Sequence, residues 1–297
     1  MRFLIAGSTG FLGTRLGERL SAQGHHVTQL VRRPPEPGQV RWDPYASPLG
    51  HEVVDAHDVV VNLAGTPTVG NPHSKKWAEN LMRSRVTTTR VLAEAIAASD
   101  SKPAFLAGNA IGFYGDHGAE PVDEHTRSRS DSLLGNVTRA WEAATEPAAK
   151  AGARVVVLRT APVFDRRSQP LGALRLLFKA GLGGPLGDGS QYMPMISTRD
   201  WVDAVVHLAE SEISGPVNLC TERAPTNAEF TRELAHQLHR PAFVRAPAFV
   251  IRPAAGPAAG ELLGSVNCIP AVLLDSGFVF RDPDVGAVLR EGLSPSR

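Results

Sequence analysis

The amino-terminal segment joins a short apolar run to three evenly spaced glycines. Residues 2–6 read Arg-Phe-Leu-Ile-Ala and lead directly into Gly7, Gly10 and Gly13, in the spacing G-x-x-G-x-x-G. A buried strand that breaks into glycines and then into a helix is the pattern of a dinucleotide-binding βαβ unit. The glycines supply a tight turn, close approach of the backbone to a pyrophosphate, and close packing of the helix on the sheet.

The residues after the glycines favour this interpretation over that of an ordinary turn. Leu12, Leu16 and Leu20 recur at helical spacing, Gly24 closes the predicted helix, and residues 26–31 form a second predicted strand. The free N–H groups and the positive dipole end of this helix would hold the pyrophosphate.

Composition excludes several other classes of protein. The 297-residue chain carries 31 basic and 30 acidic side chains, which argues against a nucleic-acid or membrane surface. No apolar run approaches the roughly 20 residues that span a bilayer, and the first strand begins too early for a signal peptide. Cys220 and Cys268 form neither a disulfide framework nor a metal-binding spacing. We expect a cytoplasmic protein that acts on a small molecule, without a metal; its oligomeric state stays open.

Strands and helices keep alternating beyond the first unit. Strands separated by helices of about this length imply a parallel sheet with right-handed crossovers. We predict an α/β fold, a Rossmann-type doubly wound parallel sheet with a smaller carboxy-terminal domain that covers the substrate. The further predicted strands are residues 39–42, 58–65, 104–107 and 154–158, and the further predicted helices are residues 84–98 and 133–151.

The predicted sheet also places the substrate crevice, because ligands of such sheets bind beyond the carboxyl ends of the strands. We expect residues 227–238 to form a helix that packs, together with residues 276–280, over that end of the sheet as a roof. The nucleotide-binding domain and the substrate-covering domain would comprise residues 1–165 with 196–220, and residues 166–195 with 221–297, respectively.

The end of the second strand bears on the choice of nicotinamide cofactor. Enzymes that prefer NAD usually carry an acid about 20 residues beyond the glycines. Here Arg32 and Arg33 follow the strand, and no acid occurs before Glu36. A guanidinium at this point can hold a 2′-phosphate through bidentate bonds. We predict NADP(H) as the cofactor, with Arg32 as the phosphate ligand; the alternative is that both arginines are solvated on a loop rim.

Several motifs now support a family resemblance. The spaced glycines, Asn62-Leu-Ala-Gly65 and Gly112-Phe-Tyr-Gly115 resemble the extended short-chain dehydrogenase/reductases. The chain is more similar to an atypical, nucleoside-diphosphate-sugar epimerase-like branch, through Ser84-Arg85, Trp141-Glu142 and the glycine-rich residues 181–187. Residues 226–231 resemble the start of the carboxy-terminal domain of unknown function that is specific to this branch.

The resemblance implies an NADP(H)-dependent oxidoreductase or epimerase with a small carbonyl or sugar-like substrate. By the same resemblance, the cofactor contacts fall on the glycine loop and on neighbouring strand ends and helices. These residues are Gly7, Thr9, Gly10, Phe11, Leu12, Gly13, Arg32, Leu63, Ala64, Gly65, Arg85 and Val163.

The catalytic pattern of the superfamily is missing. Its members usually use a Tyr as general acid/base and a Lys four residues later, whose ammonium lowers the pKa of the phenol. None of the three tyrosines, Tyr45, Tyr114 and Tyr192, is followed by a lysine at that spacing. When the chain is aligned on the Trp-Glu motif, the expected Tyr and Lys positions fall on Leu134 and Thr138.

Two other residues are candidate catalytic groups. Asn109 stands where the branch tends to keep a serine, and its amide either donates to a substrate carbonyl or only caps the loop backbone. Tyr192 follows the glycine-rich loop and either lines the pocket or is a half-buried tyrosine with a satisfied hydroxyl. For Tyr114 we expect packing, and for Asp116 and His117 a solvated loop. Two hypotheses therefore stand: an NADP(H)-dependent enzyme with a non-standard site, and a catalytically inactive NADP(H)-binding sensor or scaffold.

Overall fold

A seven-stranded, wholly parallel sheet forms the centre of the molecule. The computed structural model describes residues 1–68, 70–71, 73–244, 246, 260 and 263–294. In chain order the strands are β1 (Arg2–Ala6), β2 (His26–Val31), β3 (Gln39–Arg41), β4 (Val59–Asn62), β5 (Ala104–Ala110), β6 (Pro121–Val122), β7 (Val155–Thr160), β8 (Val163–Phe164), β9 (Ile196–Ser197), β10 (Gly215–Leu219) and β11 (Asn267–Cys268).

The strand order is that of a doubly wound sheet. The central sheet runs β10-β7-β5-β4-β1-β2-β3, so the order reverses between β1 and β4. Two short parallel pairs, β6 with β11 and β8 with β9, lie outside it. This arrangement confirms the predicted Rossmann-type fold, and it places the reversal beside the glycine loop, where such sheets bind ligands.

Helices cover both faces of the sheet. They are α1 (Phe11–Ala22), α2 (His51–Asp55), α3 (Lys75–Ala98), α4 (Leu133–Ala143), α5 (Glu146–Lys150), α6 (Leu171–Lys179), α7 (Thr198–Ala209), α8 (Asn227–Leu238), α9 (Ala271–Asp275) and α10 (Val285–Leu293). Across the residues with assigned structure, no helix combines the length and apolar character needed to cross a membrane.

The alternation of side chains along the strands produces two cores. Phe3 and Ile5 of β1 join α1 and α7 in one apolar cluster, whereas Leu4 points to the opposite face and joins Leu92 and Ile96 of α3. Successive side chains of a strand point to opposite faces. A strand buried on both faces must therefore be apolar throughout, which is why residues 2–6 lack the alternation of a half-exposed strand.

Two helix boundaries differ from the prediction. Helix α3 begins at Lys75 rather than at residue 84, because the Ser74 hydroxyl caps it by accepting a bond from the Trp77 N–H at 3.2 Å. The helix predicted over 133–151 is two helices, α4 and α5. Pro147 lies in the first turn of α5, where its missing N–H is tolerated, but it could not donate within one continuous helix.

The carboxy-terminal segments take two different positions. Helix α8 forms over the predicted residues and packs its Phe230 and Leu234 against Phe164, which follows β7 at the carboxyl end of the sheet. The expectation that residues 276–280 share this position is wrong. Phe278 and Phe280 instead pack beside α7 in the main core, where the Phe278 ring lies 5.6 Å from the His207 ring and the burial of apolar surface is favourable.

A buried polar network connects β7 to its neighbours. Arg159, which is 3% exposed, donates to the Glu142 carboxylate at 3.0 Å and to the Tyr114 hydroxyl at 3.0 Å. The Tyr114 hydroxyl in turn donates to Asn218 Oδ1 at 2.7 Å. Tyr114 is fully buried, and this burial raises the pKa of its phenol. The expected packing role of Tyr114 is therefore confirmed.

We predict that Tyr114→Phe lowers the free energy of unfolding by about 1–3 kcal/mol, because Asn218 Oδ1 would be buried without a donor and Arg159 Nη1 would keep only the Glu124 carbonyl. Urea denaturation measures the change. The matched control is Tyr45→Phe at a ring that is 42% exposed, where we expect a change within about 0.5 kcal/mol. Equal effects of the two substitutions would contradict the prediction.

Candidate cofactor and substrate site

The glycine loop lies against the segment that follows β4. Gly7 has a φ of +81°, and a Cβ built there would stand 2.6 Å from the backbone carbon of Leu63. A Cβ on Gly13 would stand 2.2 Å from the Gly7 carbonyl oxygen. Both positions therefore exclude every side chain. Because neither side chain exists, α1 packs directly on the end of β1.

The amino end of α1 is suited to an anion. Gly10 is its N-cap residue, no side chain caps it, and no acidic residue occurs in its first turn. The hydroxyl of the neighbouring Ser8 is buried and has no hydrogen-bond partner within the described chain. Free N–H groups, a positive dipole end and an unpaired hydroxyl together form a cradle that fits a pyrophosphate.

Asn62 holds the segment opposite the glycine loop. Its side chain is fully buried; Oδ1 accepts the Ala64 N–H at 3.1 Å and Nδ2 donates to Thr89 Oγ1 at 2.8 Å. The Leu63 N–H donates to the Ala6 carbonyl at 2.9 Å. These bonds fix residues 63–65 beside the glycine loop, so the structure brings these two groups of predicted cofactor residues together.

Arg85 is a buried guanidinium next to this segment. It is 8% exposed, donates to the Leu81 carbonyl at 3.3 Å and lies over the Trp141 ring at 5.1 Å. A Cβ added to Gly65 would lie 3.3 Å from its Cζ. Burial lowers the pKa of Arg85 to about 10, so it stays charged at neutral pH. No carboxylate of the described residues pairs with it, and a buried charge without a partner is costly unless a ligand supplies one.

The two arginines after β2 have different surroundings. The Arg33 guanidinium is paired with Glu36 Oε1 at 2.8 Å. Arg32 is exposed, and within the described residues its side chain has neither an ion pair nor a hydrogen bond. Of the two, Arg32 is therefore the one whose guanidinium is free to bind an anion.

The remaining predicted cofactor residues lie on the same side of the sheet. Val163 in β8 belongs to an apolar cluster that Phe11, Leu12 and Leu63 also contact. Thr9 is exposed at the tip of the glycine loop. The crevice therefore has an apolar wall from β8 and α1, and a polar edge at the loop.

Asn109 lies at the end of β5, beside the two positions where a Tyr-Lys pair is expected. Its Nδ2 donates to the Thr138 carbonyl at 3.1 Å, and its Oδ1 accepts the Ala110 N–H at 2.7 Å. The Thr138 hydroxyl donates to the Gly135 carbonyl at 2.9 Å. Leu134 is half-buried on the same helix. The polar atoms of Asn109 and Thr138 are thus both engaged with the backbone.

Tyr192 is joined to the loop after β5 through Ser265. The Tyr192 N–H donates to Ser265 Oγ at 3.0 Å, and Asp116 Oδ1 accepts the Ser265 N–H at 3.2 Å. The expectation that His117 is solvated is wrong. It is 6% exposed, and neither ring nitrogen has a hydrogen-bond partner among the described residues, although Nδ1 lies 4.0 Å from Glu120 Oε2. Sequence reasoning missed this arrangement because Ser265 is 149 positions from Asp116.

The described residues contain no group of His, Cys, Asp and Glu side chains arranged to hold a metal ion. Cys220 and Cys268 are both buried as free thiols. Burial, together with the neighbouring Cys268, raises the pKa of the Cys220 thiol. A thiol with a raised pKa is a poor nucleophile at neutral pH, so this pair contributes packing rather than chemistry.

Two family profiles match the chain. The profile of the NAD dependent epimerase/dehydratase family matches residues 3–220. The profile of a domain of unknown function, DUF1731, matches residues 246–291. Residues 226–231, which we expected at the start of that domain, therefore lie before the matched segment.

Known proteins resemble the chain over its whole length. A Mycobacterium leprae epimerase family protein, ML0860, is 36% identical over 288 residues, which are 96% of this chain and 93% of that protein. The human epimerase family protein SDR39U1 is 34% identical, over 98% of this chain and 99% of that one.

Solved structures agree with these relatives. The structure of human SDR39U1 (isoform2) with NADPH has a TM-score of 0.87 at 32% identity, covering 98% of this chain and 99% of that one. A nucleoside-diphosphate sugar epimerase from Corynebacterium glutamicum has a TM-score of 0.81 at 33% identity, covering 99% of this chain and 58% of that one. From its sequence and its fold, the chain belongs to the NAD dependent epimerase/dehydratase family.

Proposed function

We propose that this protein binds NADP(H) and is a cytoplasmic oxidoreductase or epimerase with a small carbonyl or sugar-like substrate. The observation that carries the proposal is the uncapped amino end of α1 beside residues 63–65, with the unpaired Arg32 at the next strand end. The NADPH in the human SDR39U1 structure supports the same cofactor.

Each group of residues has a distinct part in holding the nucleotide. The N–H groups of the first turn of α1 bind the pyrophosphate, and the Arg32 guanidinium binds the 2′-phosphate. Arg85 supplies a second, buried positive charge next to Gly65. Phe11, Leu12 and Val163 exclude water from the crevice. When bound, NADP(H) supplies or accepts the hydride.

The proton-transfer half of the site is non-standard. Asn109 is held by the backbone of α4, and Tyr192 by Ser265 over the loop after β5. Asn109 is proposed to orient a carbonyl, and Tyr192 to exchange a proton. A tyrosine without an ammonium beside it is a slow general acid/base at neutral pH.

A second candidate function is a catalytically inactive NADP(H)-binding sensor or scaffold. The observation that favours it is at α4, where Leu134 carries no proton and the Thr138 hydroxyl is already bonded to Gly135. In this case the nucleotide would bind as tightly, but no substrate would be turned over.

For the cofactor we predict that Arg32→Asp weakens NADPH binding by roughly ten- to hundredfold, because it removes a charge-assisted bond to the 2′-phosphate. NADH binding should change little, since NADH has no such phosphate. Fluorescence titration of the reduced nucleotides measures both affinities.

The matched control for that substitution is Arg33→Asp. We expect it to weaken NADPH binding much less, because the Arg33 guanidinium is already paired with Glu36. Equal effects of the two variants, or equal affinities of the wild-type protein for NADPH and NADH, would exclude Arg32 as the phosphate ligand.

For the glycine loop we predict that Gly13→Ala abolishes nucleotide binding and lowers the free energy of unfolding by about 1–3 kcal/mol, because its Cβ would collide with a backbone carbonyl. The control on the same helix is Gly17→Ala, where a Cβ meets nothing within 4 Å. That variant should be more stable by about 0.5–1 kcal/mol and should bind NADPH normally. A Gly13→Ala variant that binds NADPH would disprove this site.

For catalysis we predict slow reduction of generic carbonyl substrates by the wild-type protein. General acid/base groups typically supply about 10²–10⁴-fold, and the Tyr-Lys pair is absent. The double substitution Leu134→Tyr with Thr138→Lys should raise NADPH-dependent reduction, measured at 340 nm after circular dichroism has shown that the variant is folded.

Leu134→Tyr alone is the control, because its phenol would lack the ammonium that lowers its pKa. Wild-type turnover that is fast and survives both Asn109→Ala and Tyr192→Phe would mean that other residues perform the chemistry.

A further inference from the structure

A second cavity lies between α1, α7 and the carboxy-terminal helix α10, next to the nucleotide crevice, since the guanidinium of its Arg167 lies over the Phe11 ring at 5.5 Å. Its volume is about 740 Å³, within the range of small-molecule sites. None of the predicted cofactor residues lines it. We call it the arginine groove, because six arginines line it: Arg15, Arg19, Arg167, Arg199, Arg281 and Arg290.

The positive charges in the arginine groove outnumber the negative ones. Four carboxylates line it, those of Asp165, Asp203, Asp282 and Glu291. Asp203 is shared by Arg19 at 2.9 Å and Arg281 at 3.2 Å. Arg281 uses its Nε for this contact, so its terminal nitrogens remain available for an anion. Arg167 and Arg199 are paired with Asp165 and Asp282 at 2.6 Å, and Arg15 with Glu18 at 2.7 Å. Arg19 and Arg281 share one carboxylate, and Arg290 has no ion pair within the described residues, so the remaining positive charge favours an anionic occupant over a cationic one.

Three side chains of the arginine groove each have one buried polar atom without a hydrogen-bond partner within the described chain. The three atoms are Thr198 Oγ1, Arg19 Nε and Glu291 Oε2. Thr198 is only 6% exposed. Buried polar atoms are nearly always bonded, and leaving one unpaired costs free energy. Arg19 Nε is only a donor, and the Thr198 hydroxyl donates as well, so a ligand with several acceptor oxygens would complete the set.

The third of these atoms, Oε2, belongs to Glu291. Burial raises the pKa of Glu291 to about 7, with Asp282 and Asp165 adding to the rise and Arg199 and Arg167 opposing it. Asp203 of α7, and Arg15 and Arg19 of α1, also face the groove. When protonated, Glu291 loses its negative charge and gains a hydrogen-bond donor. Both changes favour the binding of an anion in the groove.

We propose that the arginine groove binds the phosphate group of a small phosphorylated molecule, at a site separate from the nucleotide crevice. The guanidinium groups of Arg281 and Arg290 match the geometry of phosphate oxygens. Arg19, Thr198 and, when it is protonated, Glu291 supply further donors from three elements. The volume leaves room for an organic part of modest size beside the phosphate.

Sulfate is the probe for this site, because its charge does not change between pH 6 and 8 whereas that of phosphate does. We expect a sulfate titration, followed by the backbone amide NMR signals of Thr198, Arg281 and Glu291, to give saturable shifts. The apparent affinity should be about three- to tenfold higher at pH 6 than at pH 8, because Glu291 is protonated at the lower pH.

Variants of the groove test the assignment. Arg281→Gln should weaken sulfate binding by about tenfold, and Thr198→Val should weaken it to a smaller extent. Glu291→Gln should keep tight binding at both pH values, since a glutamine is a neutral donor at every pH. Arg127→Gln is the matched control, because Arg127 is an exposed arginine outside the groove. The Arg127→Gln substitution should leave the apparent affinity for sulfate unchanged.

The outcome separates this site from the proposed nucleotide site. In the Arg32→Asp variant the groove signals should respond to sulfate as in the wild-type protein, so failure of one proposal leaves the other untouched. Shifts that do not saturate, or that are the same in Arg281→Gln, Thr198→Val and Arg127→Gln, would mean an adventitious ion only and would overturn the proposal. If Arg281→Gln does not fold, Thr198→Val alone decides between these outcomes.

Discussion

The contact between the glycine loop and the end of β4 determines much of this structure. Gly7 lies against the backbone of Leu63, and Gly13 lies against the carbonyl of Gly7, at distances that no Cβ permits. This contact draws α1 onto the sheet, where it packs against α7. It also leaves the first N–H groups of α1 without internal partners. One steric constraint therefore produces both the packing of α1 on one face of the sheet and the cradle for the proposed pyrophosphate.

Two buried arginines illustrate how a charge inside this protein is used. Arg159 has a complete set of partners, in Glu142, the Tyr114 hydroxyl and the Phe113 ring at 3.6 Å. Arg85 has an aromatic ring and one carbonyl, but no carboxylate among the described residues. A buried charge is costly unless an opposite charge lies beside it. Arg159 has such a partner and is a structural residue, whereas Arg85 has none among the described residues and is suited to bind an anionic ligand.

The sheet and the glycine loop could be predicted from the sequence, because apolar runs, helical spacing and turn glycines are each visible within a few neighbouring residues. Interactions between distant residues could not be predicted in this way. His117 is buried under a segment that includes Ser265, and Phe278 packs beside His207 of α7. The ion pair between Arg33 and Glu36 was also not predicted, although the signal was present, since Glu36 stands three positions after Arg33.

The nucleotide-binding half and the proton-transfer half of the proposed site depend on different elements. This separation explains how the glycine motif can be present while the Tyr-Lys pair is absent. The proposed nucleotide cradle uses the ends of β1, β2 and β4, whereas Asn109 lies on β5, the expected Tyr-Lys positions lie on α4, and Tyr192 lies between α6 and β9. Asn109 contacts α4 only through the Thr138 carbonyl, a group that every residue at position 138 would provide. A change of side chain at position 138 therefore leaves this backbone contact intact. The contacts that join the glycine loop to residues 63–65 involve no side chain at positions 134 and 138, so substitutions at these positions should leave the proposed nucleotide cradle in place.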